Sequence, residues 1–348
     1  MMSGNTRASR LDRPAVSATR RIAPYIGSAA TLSLLLAACG NDNGDDGADF
    51  PTDAIDYIIP YDPGGGADPA GREFVEMLSD ELGVNTDVNN VPGGDESLGI
   101  AQMAGSEADG YTLGMGTSGG FVAQPLANPD VEYEWQDMTP LARMSATPYG
   151  LFVAADSDYE TLDDLIQAAQ EDPGGVQISS PTGMGNPAFS IYLLEDQADI
   201  EVNLVTTAGG TGEAALEVMS GRIDAVIGNA SGQLGLVEAG DLRALAYSGS
   251  ADYSDFLPDA VSFESEGYDI PFTSDYMTFA PGGLSEDVEG TLREVSESIV
   301  TSDEWAEWSE NQGALANVAV DDELDDYLQE ITENVERGIE LAESRGSD

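Results

Sequence analysis

The stretch Tyr61-Asp62-Pro63-Gly64-Gly65-Gly66-Ala67-Asp68-Pro69 is where residue types first suggest chemistry. Three consecutive glycines let a backbone approach another group closely, and Asp68 followed by Pro69 makes a good N-cap and first helical residue. The glycines then precede a helix N-terminus, where unpaired N–H groups and the positive end of the helix dipole favour an anion. A plain strand-to-helix turn would have the same composition, and the loop lacks the Gly-Lys-Ser/Thr ending of a P-loop. Recurrence sets it apart. Similar turns follow later apolar runs, at Val91-Pro92-Gly93-Gly94, Thr117-Ser118-Gly119-Gly120, Thr182-Gly183-Met184-Gly185-Asn186 and Thr207-Ala208-Gly209-Gly210. In open α/β sheets ligands bind beyond the carboxyl ends of strands. The candidate binding residues are therefore Tyr61, Gly64, Gly65, Gly66, Asp68, Thr117, Ser118, Thr182, Gly183, Asn186, Thr207, Gly209 and Asn229.

Composition narrows what these loops can do. The chain has 65 acidic and 12 basic residues, no His, and a formal net charge of -53. Every basic residue is Arg. A field of this sign repels a phosphate backbone, so nucleic acid is excluded as a partner. Without His there are no His-based triads, His general bases or His metal ligands. The runs Asp321-Asp322-Glu323 and Asp325-Asp326 lack the calcium-loop pattern and read as solvated helix ends. No metal and no cofactor is expected. Arg72, Arg143, Arg222 and Arg243 read as partners of neighbouring carboxylates, and Trp135, Trp305 and Trp308 as packing anchors. So acidic a surface fits a protein working in concentrated salt, as in a halophile, where the Debye length falls to about 3 Å.

The elements that must position the loops alternate along the chain. Strands are expected over 55–61, 84–89 and 111–116, with helices over 69–82 and 98–104 between them, a βαβαβ rhythm implying a parallel sheet. The rhythm resumes with strands over 150–154, 176–179, 202–206, 225–228 and 242–247. Helices are expected there over 162–171, capped by Thr161 with Asp164 at its third position, and over 187–197 and 213–220. A last strand at 276–280 and helices at 285–300 and 324–343 close the chain. With 348 residues, about two domains are expected. The fold class is α/β, each lobe a mainly parallel sheet flanked by helices.

The first 39 residues read as an address. Arg7, Arg10, Arg13, Arg20 and Arg21 precede the apolar run 26–38 and the only cysteine, Cys39. Leu36-Ala37-Ala38-Cys39-Gly40 resembles the bacterial lipobox, which makes 1–38 a signal peptide and Cys39 the lipid attachment site. Arg20-Arg21 also matches the pair of a twin-Arg export signal. Residues 39–50, small and acidic, read as a flexible tether. Five of the 12 arginines and one of the 65 acids lie in 1–38, leaving 7 against 64 and a net charge of -57.

From about 55 to 343 the chain resembles the periplasmic receptors of tripartite tricarboxylate transporters, the TctC or Bug-type binding proteins. The matching stretches are 59–65 with Asp68 and Arg72, Asn90-Val91-Pro92-Gly93-Gly94, Ala108-Asp109-Gly110-Tyr111-Thr112-Leu113, 161–169, 183–186, 205–210 leading to Gly221-Arg222-Ile223-Asp224, and 242–246. Each is short, but their order and spacing together are specific. The resemblance implies a two-lobed clamp of the periplasmic-binding-protein type. Residues 51–150 and 277–348 would form lobe I and 151–276 lobe II. The implied ligand is a small di- or tricarboxylate held by loop N–H groups, hydroxyls and waters. On this analogy Tyr61 and Gly64 to Gly66 serve the first lobe, and Thr182, Gly183, Asn186, Thr207 and Gly209 the second. The chain departs from the family pattern at Asn186 and Phe189, where Ser and His are usual, and at Thr207-Ala208-Gly209, where Tyr-x-Gly is usual.

The expectation is a monomeric, non-enzymatic receptor outside the cytoplasmic membrane, anchored there by lipid, that passes its ligand to membrane permease subunits by closing around it. Two alternatives share its features. A lipid-anchored sensor subunit would use the same clamp, and a secreted hydrolase would use a pair of carboxylates, which 64 acids make inevitable and therefore uninformative.

Overall fold

The computed structural model describes residues 50–64, 67–207 and 210–345. The signal segment 1–38, Cys39, most of the tether, and Gly65, Gly66 and Gly209 lie outside the described residues. Strand β1 (Ile55–Ile59) leads through α1 (Asp68–Leu82) to β2 (Thr86–Asn90), and α2 (Ser97–Ala104) leads to β3 (Thr112–Thr117). A π-helical turn at Gly119–Ala123 runs into α3 (Gln124–Ala127). Then follow β4 (Met138–Ala154), α4 (Leu162–Glu171), β5 (Gln177–Ser180), α5 (Asn186–Ala198), β6 (Asn203–Thr206), α6 (Gly210–Met219), β7 (Ala225–Asn229), α7 (Leu234–Glu238) and β8 (Leu242–Tyr247). The chain ends with β9 (Val261–Ser262), β10 (Thr273–Pro281), α8 (Glu286–Val300), α9 (Asp303–Asn311) and α10 (Asp321–Arg345).

Two sheet halves share β4, which is 17 residues long. In the first half β1 pairs in parallel with β2 and β3, and β10 runs antiparallel between β3 and the leading part of β4. In the second, the trailing part of β4 pairs antiparallel with β7 and β8, while β5 lies parallel between β6 and β7. The βαβ units are parallel as their helical crossovers require. Strand β4 alone pairs in both halves, and β10 returns the chain from the second half to the first. Almost every residue of β4 is buried, so its sequence has no alternation and its first twelve residues carry no period-2 signal. Only its end was expected as a strand.

Local chemistry fixes several elements. Thr161 and Asp164 form the expected capping box at α4, with Asp164 N–H donating to Thr161 Oγ1 and Thr161 N–H to Asp164 Oδ2. Asp68 departs from expectation. It is the first residue of α1, and the capping position falls on Ala67 with no side-chain bond. Helix α9 was not expected. Its apolar anchor is Trp305, buried against Phe74, stacked on Trp308 at 5.1 Å and donating Nε1–H to Met144 O at 2.7 Å. The last helix, α10, packs along α5 at Gly338, where an added Cβ would lie 2.5 Å from Phe189 Cγ. A core of α4, α5, α10 and the sheet thus runs from Ile178 and Phe189 through Leu328 to Phe279 and Phe121.

Candidate functional site

The carboxyl ends of β1, β2, β3 and β5 open on one cleft of about 460 Å³. Its walls come from Pro60–Asp62, Pro92–Glu96 and Thr117–Gln124 of the first half, and from Tyr149 and the 181–187 loop of the second. Of the sequence candidates, Tyr61, Thr117, Thr182 and Asn186 line it.

The other described candidates do local work. Asp68 is buried, and accepts from Gly64 N–H at 2.9 Å, Arg72 Nε at 2.8 Å and Asn90 Nδ2 at 2.8 Å. Burial alone would raise its carboxyl, but Arg72, Asn90 and Gly64 outweigh this and hold it below the usual range. It braces the glycine loop. That leaves the Gly64 N–H already engaged. Gly183 O accepts from Tyr192, Thr207 Oγ1 shares a hydrogen bond with Ser179, and Asn229 Oδ1 accepts from Ser231. None of these three is among the residues lining the cleft.

Ser118 sits directly behind the wall and is fully buried. It donates to Asp275 Oδ1 at 2.9 Å and accepts from Asn186 Nδ2 at 2.9 Å. Gly116-Thr117-Ser118-Gly119-Gly120 has the spacing of a nucleophile elbow. A buried serine whose proton goes to a carboxylate, in a chain with no His, is not an activated nucleophile. Asp275 also accepts from Tyr327 at 2.9 Å and lies 4.0 Å from Arg143 Nε, whose guanidinium stacks on the Tyr327 ring. Burial pushes the Asp275 carboxyl up, while Arg143 and the two hydroxyls pull it back. Arg143, with Thr273 and Tyr327, also lines a second cavity of about 310 Å³.

Sequence reading missed the most consequential wall residue, Glu96. Gly94, Asp95 and Glu96 all have left-handed backbone, with φ of 60°, 48° and 77°. Left-handed geometry at non-glycine residues costs about 1–2 kcal/mol each. It turns Glu96 across the wall, where Oε2 accepts Thr117 N–H at 2.7 Å and Oε1 accepts Thr117 Oγ1 at 2.6 Å. Gly120 makes room, since a Cβ there would lie 2.5 Å from Glu96 Oε2. Burial pushes the Glu96 carboxyl up, against the hydrogen bonds from Thr117 and Tyr61. The Tyr61 phenol is raised well above its ordinary value by burial and then by Glu96. The signal for Glu96 lay two residues past a loop already singled out. Tyr149 and Asp275 gave none, because their strands have no readable period.

Three carboxylates, Asp62, Asp95 and Glu96, face the cleft, and no Arg is among its described lining residues. Of the four arginines singled out, Arg72 and Arg222 pair with Asp68 and Glu217, Arg143 sits near Asp275, and Arg243 instead donates to the carbonyls of Ala155, Ser157 and Tyr159. Among the described residues no cluster could hold a metal ion.

Strand-end loops from two sheet halves meeting at one cleft define the architecture of a two-lobed solute-binding protein. The family model described as "Tripartite tricarboxylate transporter family receptor" matches residues 71–346. The chain belongs to this family, which is one of solute-binding receptors and not of enzymes. BugT of Bordetella pertussis is 27% identical over 283 residues, covering 80% of this chain and 86% of that protein. A protein encoded in the tcbD-tcbE intergenic region of a Pseudomonas species is 28% identical over 261 residues, 73% of this chain and 76% of that one. Among solved structures, a TctC solute-binding protein from Polaromonas aligns with a TM-score of 0.73 at 21% identity, covering 85% of this chain and 99% of that one. An R. palustris protein solved with adipate aligns at 0.70 and 22% identity, covering 86% and 99%.

Proposed function

We propose that this receptor captures a small carboxylate-bearing molecule, of the di- or tricarboxylate class, outside the cytoplasmic membrane and presents it to the permease subunits of a tripartite tricarboxylate-type transporter. The convergence of Tyr61, Thr117, Thr182 and Asn186 on one cleft carries this reading. Residues 51–150 with 277–348 form one lobe and 151–276 the other, so β4 and β10 are the hinge. Ligand bridging the loops after β1 to β3 and the loop after β5 favours the closed state by its differential affinity for it. The protein acts as a monomer held at the outer membrane face through lipid on Cys39, and the apolar run and lipobox-like sequence before that cysteine support the anchor. The adipate and malate found with two structural neighbours support the carboxylate class.

A thermal-shift screen in molar KCl tests this, with citrate, tartrate, succinate, glutamate, nicotinate, terephthalate and uncharged sugars. At 100 times its dissociation constant a ligand specific for the folded state stabilises it by about 2.7 kcal/mol. A raised midpoint with one carboxylate is the expected result. Shifts only with uncharged compounds would sink the carboxylate reading.

A further inference from the structure

Arg143, on β4, is 7% exposed and lines the second cavity, of about 310 Å³. A guanidinium is always charged and carries five N–H donors. Among the described residues Arg143 makes one hydrogen bond, from Nη2 to Thr273 Oγ1 at 3.1 Å. Its Nε is buried and has no hydrogen-bond partner. Nη1 has no partner among the described residues either, and it is not one of the atoms sealed from solvent. Asp275 Oδ2 stands 4.0 Å from Nε, too far for a hydrogen bond, and the two Asp275 oxygens already receive Ser118 and Tyr327. Asp275 therefore balances the charge without supplying an acceptor, and it is not among the residues lining the cavity. The Tyr327 ring lies over a face of the guanidinium and takes none of its in-plane N–H groups. Buried cationic donors without acceptors are a standing cost that a ligand can remove.

The rest of the lining says what such a ligand must look like. Ala146, Pro148, Ile270, Leu315 and Ile331 give the cavity buried and half-buried apolar surface. Asn317 and Asn334 add half-buried amides, which can donate or accept. Glu264, Asp269 and Glu330 also line it, and all three are exposed. The one cation is thus buried while the carboxylates stand at the solvent edge. A ligand with a second anionic group would set it against these acids. A ligand with a single carboxylate and an apolar body meets the guanidinium at one end and aliphatic side chains along its length. The volume is sufficient, since small-molecule sites begin at about 300 Å³. This cavity shares no lining residue with the cleft at the carboxyl ends of β1, β2, β3 and β5.

We infer that this cavity is a second ligand site, separate from the cleft, and that it takes a monocarboxylate with an apolar body the size of benzoate, its carboxylate accepting from the Arg143 guanidinium. The planar carboxylate matches the planar fork of donors and supplies the acceptors that Thr273 and Asp275 do not. The exposed acids turn a second carboxylate away. The inference does not rest on what the cleft binds.

Crystals of the purified protein soaked in 4-bromobenzoate test this, because anomalous scattering locates the bromine. A peak beside Ile270, Leu315 and Ile331 is the expected result, and terephthalate should not displace it. Isothermal titration in molar KCl should show benzoate binding about tenfold or more tightly than benzamide, which has the same shape and no charge; that ratio is the equivalent of one charge-assisted hydrogen bond. Arg143→Gln should abolish benzoate binding, but it also removes the partner of Asp275 and can unfold the protein. Asn334→Trp, at a half-buried position on α10, fills the cavity with Arg143 and Asp275 in place, and should abolish benzoate binding while the thermal midpoint is kept. A bromine peak in the cleft alone, equal binding of acid and amide, benzoate binding that survives Asn334→Trp, or no benzoate binding each overturns the inference and leaves carboxylate capture by the cleft standing. Displacement by terephthalate keeps the site and overturns its restriction to monocarboxylates.

Discussion

Glu96 shows how one residue's surroundings become a measurable slope. Its carboxyl titrates above its ordinary value of 4.5 in the folded protein, burial being the largest cause. Folding therefore favours its protonated form. The stability it contributes is complete below pH 4.5 and is lost as pH rises through the raised value. Tyr61, Tyr133, Tyr149, Tyr276 and Asp275 face the same carboxyl, and only Asp275 among them is another carboxyl, itself pushed up by burial. Glu96→Gln should accordingly lose less stability than the parent between pH 4.5 and 7 in urea melts at several pH values; parallel curves would show that Glu96 is solvated like a surface acid. Asp275 is the other test at this scale. Replacing it by Ala leaves Arg143, 7% exposed, without its carboxylate, and the expected loss is about 3–5 kcal/mol by denaturant midpoint. A loss under about 1 kcal/mol would mean that the Tyr327 ring and Thr273 Oγ1 together satisfy the guanidinium. Neither role was legible in the sequence. Candidate residues were drawn from glycine-rich loops, which brought Tyr61, Thr117, Thr182 and Asn186 to the cleft, whereas an acid in left-handed backbone and an aspartate set between Ser274 and Tyr276 look like ordinary members of an acidic chain.

The elements were legible where periodicity and end signals agree. Helix α4 was readable to the residue because Thr161 and Asp164 make a capping box, and the βαβ units were readable because amphipathic helices alternate with short apolar strands. Strands β4 and β10 were readable only in part. Both are buried on two faces, and their antiparallel pairing depends on partners more than a hundred residues away. The contact between α5 and α10 belongs to the same category. Gly338 reads as a weak spot in a long helix, yet it is the residue that lets α10 lie against Phe189. Gly338→Ala has ordinary helical backbone and would gain about 1 kcal/mol from propensity alone. Against that, the new methyl would meet the Phe189 ring at 2.5–2.9 Å, and overpacking costs about 1–3 kcal/mol. The net expectation is a lower thermal midpoint. A raised midpoint would mean that α10 shifts along α5 without penalty, and that the helix is less firmly docked than its contacts imply.

At the scale of the whole molecule the dominant quantity is charge. A net charge of -53 spread over the surface repels itself in the folded state, and dilute salt screens this poorly because the Debye length is about 10 Å at 0.1 M against about 3 Å at 1 M. Added KCl should therefore raise the unfolding midpoint steadily over this range, well beyond the concentration at which an ordinary protein levels off. Ligand capture is subject to the same field. A dianion such as succinate approaches a strongly negative body whose cleft adds Asp62, Asp95 and Glu96, so its association rate should rise with ionic strength, by about tenfold between 0.05 and 1 M. A zwitterion carries no net charge and should associate at a rate almost independent of salt. Stopped-flow measurement of both compounds across the same KCl series separates global repulsion from local chemistry. If succinate slows as salt increases, the cleft is locally positive despite its lining, and backbone N–H groups of the glycine loops outweigh the three carboxylates. If succinate accelerates while the zwitterion does not, long-range repulsion sets the rate of arrival, and selection between ligands is left to the contacts inside the cleft.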